Sequence, residues 1–173
     1  MAGRRMPESR MHPLRALHDV DAGHARYVWR AWLIAVVPSL ALFGVRLAMG
    51  SATLQATLAP DVAGFAAYSI VVAPLVETAV MVPLALALNA LPGKGDWPRI
   101  LALAALAALA HGFGGTAWQV AAAFWPFVVY AAALFAWRRR SLNDAYLVTV
   151  LIHMLYNATF FAVGFVGMLA ADA

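Results

Sequence analysis

The chain has 173 residues, of which 64% are hydrophobic and 12% charged, with a formal net charge of +4 and a mean hydropathy of +0.78. Soluble domains carry roughly 25% charge, so this composition excludes a soluble enzyme and points to an integral membrane protein. With no cysteine, disulfides and thiolate chemistry are excluded, and any metal ligands must be His, Glu, Asp or Asn.

Residues 1–28 form a basic leader that carries Arg4, Arg5, Arg10, Arg15 and Arg26, with Arg30 just beyond it. The leader is too long for an ordinary signal peptide, and the apolar run after it lacks a small-residue cleavage site. It is expected to remain as a partly disordered or interfacial arm. Residues 29–173 are expected to form a single transmembrane helical domain.

A first span runs from about Trp29 to Met49, with Pro38 predicted to kink it and Arg46 able to snorkel outward near its end. The stretch Ser51–Asp61 is a loop or a short re-entrant piece. A second span covers Val62–Ala90 and holds Pro74 and Pro83 on either side of Glu77. Each proline frees a backbone carbonyl, which a membrane tolerates only where protein or water satisfies it.

Leu91–Arg99 is a Gly- and Pro-punctuated turn. A third span, almost pure Leu and Ala, runs from Ile100 to His111 and ends in Gly112-Phe113-Gly114-Gly115, where the glycines would let the backbone turn sharply. A fourth covers Ala117–Trp137 and stops at Arg138-Arg139-Arg140, a stop-transfer and headgroup anchor. The fifth, Tyr146–Ala170, carries His153 and Asn157.

The fold class is therefore all-α, a polytopic transmembrane bundle of about five spanning helices. With a cytoplasmic N-terminus, eleven of the twelve Lys and Arg fall on the inside, and only Arg46 is left over. That bias predicts N-terminus in and C-terminus out, and it assigns the positive charge to membrane lipids rather than nucleic acid.

An acid within a span is costly and marks a functional site by default. At ~1.5 Å of rise per residue, Glu77 lies about 20 Å from the cytoplasmic end of its span, His111 about 16 Å in, and His153 to Asn157 about 10 to 17 Å in. His153 and Asn157, four residues apart, share one helix face. Each alone has a bland reading as interhelical glue. Together, a carboxylate, two imidazoles and an amide on three helices are the inventory that activates water and stabilises an oxyanion. The same Glu77, His111 and His153 could instead ligate zinc, with water in an open fourth position. A proton relay through Glu77, His111 and His153 is a further reading, which the absence of an inverted repeat disfavours.

Ala73-Pro74-Leu75-Val76-Glu77-Thr78, then His111-Gly112, then His153-Met154-Leu155-Tyr156-Asn157 resembles the CPBP family of intramembrane proteases, which includes the CAAX prenyl endopeptidases and bacterial Abi proteins linked to bacteriocin immunity. The resemblance spans residues 73–160. It departs from the family pattern at Thr78, where a second glutamate stands, at Val82, where an arginine stands, and at Ala107, where a phenylalanine precedes the histidine.

The resemblance implies an intramembrane endopeptidase in which Glu77 with His111 activates water and His153 with Asn157 holds the oxyanion of the scissile bond. No cofactor is then required, and the partner is a peptide or membrane-protein substrate. The alternative is a non-catalytic membrane binding or immunity protein that keeps the polar cluster for fold specificity. A multi-pass protein of a bacterial inner membrane is the expected setting.

Overall fold

A computed structural model describes residues 13–49, 62–90, 92, 95–113 and 115–171. The first twelve residues of the leader, the Ser51–Asp61 stretch and part of the Leu91–Arg99 turn lie outside the described residues. The described residues form helices α1 (His24–Ala48), α2 (Val62–Ala67), α3 (Ala73–Ala90), α4 (Trp97–His111), α5 (Ala117–Trp137) and α6 (Leu142–Ala171). No strand occurs among them. A π turn, Tyr68–Val72, joins α2 to α3, so Val62–Ala90 is one rod of 29 residues.

Four helices are long and apolar enough to cross a membrane: His24–Ala48, Val62–Ala90, Ala117–Trp137 and Leu142–Gly167. The third expected span is shorter. Its helix, α4, has 15 residues and a length of about 22 Å, against a hydrocarbon core of about 30 Å.

α5 is the central pillar. Every residue from Phe127 to Trp137 is buried, because α1, α3, α4 and α6 all pack on it. α4 presents Ile100, Leu103, Ala104 and Ala108 as its buried face. That i, i+3, i+4, i+8 stripe, with alanine at two of its positions, lets the two backbones approach closely. A reciprocal capping box starts α5: the Gln119 N–H donates to Thr116 Oγ1 and the Thr116 N–H donates to Gln119 Oε1. Ser141 Oγ accepts from the Asp144 N–H at the start of α6.

Two of the proline-freed carbonyls, those opposite Pro38 and Pro74, find side-chain donors on other helices. Pro38 has no N–H for Ile34 O four residues back, and Trp125 Nε1 of α5 donates to that oxygen at 2.9 Å. In the π turn the Ala73 N–H donates to Tyr68 O, which sets a five-residue register and pairs Ser69 O with Pro74, a residue that has no N–H. Asn157 Nδ2 of α6 donates to Ser69 O instead, at 2.7 Å. Both repairs are what a backbone at membrane depth requires.

The helix expected from Trp29 begins five residues earlier, at His24. Gly23 ahead of it sits at φ 79°, a left-handed conformation that favours glycine and sets the break. Residues 13–22 form two 3₁₀ turns, Pro13–His18 and Val20–Ala22, that lie against the bundle. Leu17 is fully buried, and its carbonyl accepts from Tyr27 Oη at 2.8 Å.

Ion pairs close this end. Asp96 accepts from Arg138 at 3.1 Å and Arg139 at 2.6 Å, and Arg99 lies 3.8 Å away. Arg140 donates to Asp21 at 2.6 Å, and His24 pairs with Asp144 at 3.1 Å. The Trp137 ring lies under them, stacked on His24 with centroids 4.4 Å apart and edge-on to Tyr27. The leader, the start of α4 and the α5–α6 turn thus meet at one end of the bundle.

Candidate active site

Three helices converge on Glu77. It projects from α3, one turn past Pro74, with His111 Nε2 from the end of α4 at 4.0 Å from Oε1 and His153 Nε2 from α6 at 3.6 Å from Oε2. Rise per residue predicts one depth for these three groups, and the structure brings them together. Both separations exceed a hydrogen bond. Catalytic contacts are often loose before substrate arrives and tighten with it. Glu77 Oε2 and His153 Nδ1 are buried without a hydrogen-bond partner.

The imidazoles are held by aromatic rings. Tyr130 of α5 stacks on His153 with centroids 4.4 Å apart and planes 25° from parallel. Phe127, one turn earlier, meets His111 edge-on at 5.1 Å and His153 at 6.0 Å. Tyr130 is a site residue that sequence reasoning missed. Its hydroxyl is buried with no hydrogen-bond partner. In the sequence Tyr130 is one of several aromatic residues along α5, with Phe124, Trp125, Phe127 and Phe135, and nothing marks it out.

A cavity of about 360 Å³ opens beside the imidazoles, between α1, α5 and α6. His111, His153 and Asn157 line it, as do Tyr130 and Phe127. Glu77 does not line it and reaches it only through the two imidazoles. His153 and Asn157 share this face as their spacing predicts, but Asn157 is engaged by Ser69 O. Replacing Asn157 with Leu strands that carbonyl, and should cost about 1 to 2 kcal/mol, read as a lower unfolding temperature. Ser69→Ala keeps the backbone acceptor and should be close to neutral.

His111 closes α4, and Gly112 follows at φ −89°, which any residue adopts. The expected sharp glycine turn is therefore a close approach instead. A Cβ on Gly112 would run into Val120 Cγ2 of α5. Gly112→Ala should destabilise the protein by about 1 to 3 kcal/mol, and Val120→Ala combined with it should recover most of the loss in a thermal melt.

Where the family pattern has its second glutamate, Thr78 is fully buried with Oγ1 unpartnered. Val82 and Ala107, at the arginine and phenylalanine positions, pack against the core. Among the described residues no group of three or more His, Asp or Glu is arranged to hold a metal ion. No protein-family model, curated protein or solved structure matches the sequence.

Proposed function

We propose that this protein is an intramembrane endopeptidase that hydrolyses a peptide bond of a membrane-associated protein or peptide by glutamate-activated water. The observation that carries this reading is the convergence of Glu77 with His111 and His153, from three helices, with the two imidazoles lining a cavity of about 360 Å³. Glu77 takes a proton from the attacking water as the hydroxide adds to the carbonyl carbon. His111, the more exposed imidazole, keeps the carboxylate aimed at that water and passes the proton toward the leaving amine. His153, held by Tyr130, donates to the developing oxyanion. The same reading takes no metal, and it matches the resemblance to CPBP proteases residue by residue at the three converging positions.

The proposal includes an orientation. The basic end, where Arg30, Arg99 and Arg138 to Arg140 gather with the leader, faces the cytoplasm of a bacterial inner membrane. α4 completes its crossing through the turn after His111, since α5 returns antiparallel beside it and its last turn meets Asp96.

A second reading, binding without cleavage as in an immunity protein, draws on one observation: Asn157 serves the backbone of the π turn. Profiling of protein N- and C-termini in native-host cells that carry wild type or Glu77→Gln, at matched membrane levels, separates the two. Termini that vanish with Glu77→Gln support the peptidase and name its substrate. Identical termini alongside a preserved cellular phenotype sink it and leave the binding reading.

A further inference from the structure

The cavity has a floor and a mouth at different depths. Measured along α5 from Trp137, at the basic end, the lining residue Tyr130 lies about 10 Å away and Trp118 about 28 Å. Along α6 from Asp144, His153 lies about 14 Å away and Phe160 about 24 Å. Along α1 from His24, Ser39 lies about 22 Å away and Arg46 about 33 Å. The imidazole of His153 is therefore at the floor. The lining ends where α1 ends and α5 begins, one hydrocarbon thickness of about 30 Å from the belt of ion pairs.

Toward the belt the floor is packed shut. From Phe127 to Trp137 α5 is buried without a break, Val148, Thr149 and Ile152 of α6 are buried as well, and Leu17 and Tyr27 are buried at the basic end. Toward the mouth the lining is mixed. Ser39, Gln119, Tyr156 and Asn157 stand among aliphatic and aromatic side chains, which makes the cavity polar enough to hold water at membrane depth.

We propose that the imidazoles are served from the membrane face opposite the belt of ion pairs, with water and a polypeptide segment entering between the end of α1 and the start of α5. With the belt in the cytoplasm, that face is the outer one. The substrate class is then a segment of an exported protein or an outer loop of a membrane protein. The opposed entry rests on the cavity alone; the substrate class rests on the peptidase reading as well.

The chain has no cysteine, so each single variant carries one reporter thiol. Ala122→Cys places it on the cavity wall, and Asn143→Cys places it on the exposed start of α6 beside the belt. Full-length protein is treated with a membrane-impermeant thiosulfonate in spheroplasts and in inverted inner-membrane vesicles of an expressing bacterium. Ala122→Cys should react at least about tenfold faster in spheroplasts than in inverted vesicles, since thiol reactivity follows access. Asn143→Cys should show the reverse ratio.

Reaction of both thiols from the same side overturns the proposal, because the cavity then opens toward the belt. So does a thiol in Ala122→Cys that reacts from neither side, which makes the cavity a closed chamber. Opposed reactivity with the two faces exchanged keeps the opposed entry and overturns its outer assignment. Should Ala122→Cys fail to fold, Ala123→Cys on the same wall answers the same question. The substrate class has its own readout: termini that depend on Glu77 should fall on segments outside the cytoplasm. Glu77-dependent termini on cytoplasmic segments, with Ala122→Cys labelled from outside, overturn the substrate class and leave the entry side and the peptidase standing. The same labelling with no Glu77-dependent termini leaves the entry side standing and the peptidase reading fallen.

Discussion

Glu77→Gln should lower the rate of peptide-bond cleavage by about a hundred- to ten-thousand-fold, the span that loss of a positioned general base produces. The substitution keeps the size and shape of the side group while it removes the charge and the ability to accept and return a proton. Its structural cost should be small. The carboxylate makes no hydrogen bond to either imidazole, lies 3.6 and 4.0 Å from them and is 31% exposed. The unfolding temperature of Glu77→Gln should therefore stay near that of the wild type while activity is lost. A fall in both together would show that Glu77 holds the bundle rather than serving chemistry. Glu77→Asp, which withdraws the carboxylate by one methylene, should keep the fold and lose much of the rate, since displacement by about 1 Å is enough to cost about a hundredfold.

The largest stability effect is expected at Asp96. Its carboxylate is 13% exposed and faces Arg138, Arg139 and Arg99, two of which are themselves less than one-fifth exposed. Removing the acid strands a cluster of like charges. Asp96→Ala should destabilise the protein by about 3 kcal/mol, the scale for stripping a partner from a largely buried pair. Arg139, which is 64% exposed, should contribute little of that. The double variant Asp96→Leu with Arg138→Leu should recover much of the loss, because an apolar pair of similar volume often replaces a buried ion pair at no net cost. Chemical denaturation in detergent micelles would measure both. Additive losses in the double variant would show that the two residues act independently.

Much of the architecture is legible in one dimension because the membrane restricts it. Apolar runs of spanning length lead to helices, and three polar residues in separate runs meet because rise per residue fixes their depth. Legibility fails where the decisive partner is a backbone atom. Pro38 and Pro74 announce freed carbonyls, yet nothing in the sequence says that Trp125 and Asn157 supply the donors, since those pairings depend on how α5 and α6 rotate about their axes. The π turn is equally silent, and it changes which carbonyl Pro74 leaves unpaired. Asn157, expected to face substrate, is tied to Ser69 for that reason. Tyr130 was hidden because an aromatic residue in an apolar run has the same one-dimensional signature whether it stacks on an imidazole or fills a core. The close approach of Gly112 to Val120 was hidden too, since the glycines after His111 announced only a turn.

The docking of the leader bears on how the protein is made. Asp21 and its partner Arg140 are separated by 119 residues, and Trp137, which stacks on His24, is nearly as distant. At about 5 to 20 residues per second of synthesis, roughly 6 to 24 s pass between the emergence of the two halves of that contact. During this interval the N-terminal arm has no seat, and Leu17 and Tyr27 must wait. Closure of the basic end must therefore wait for the α5–α6 hairpin to be made.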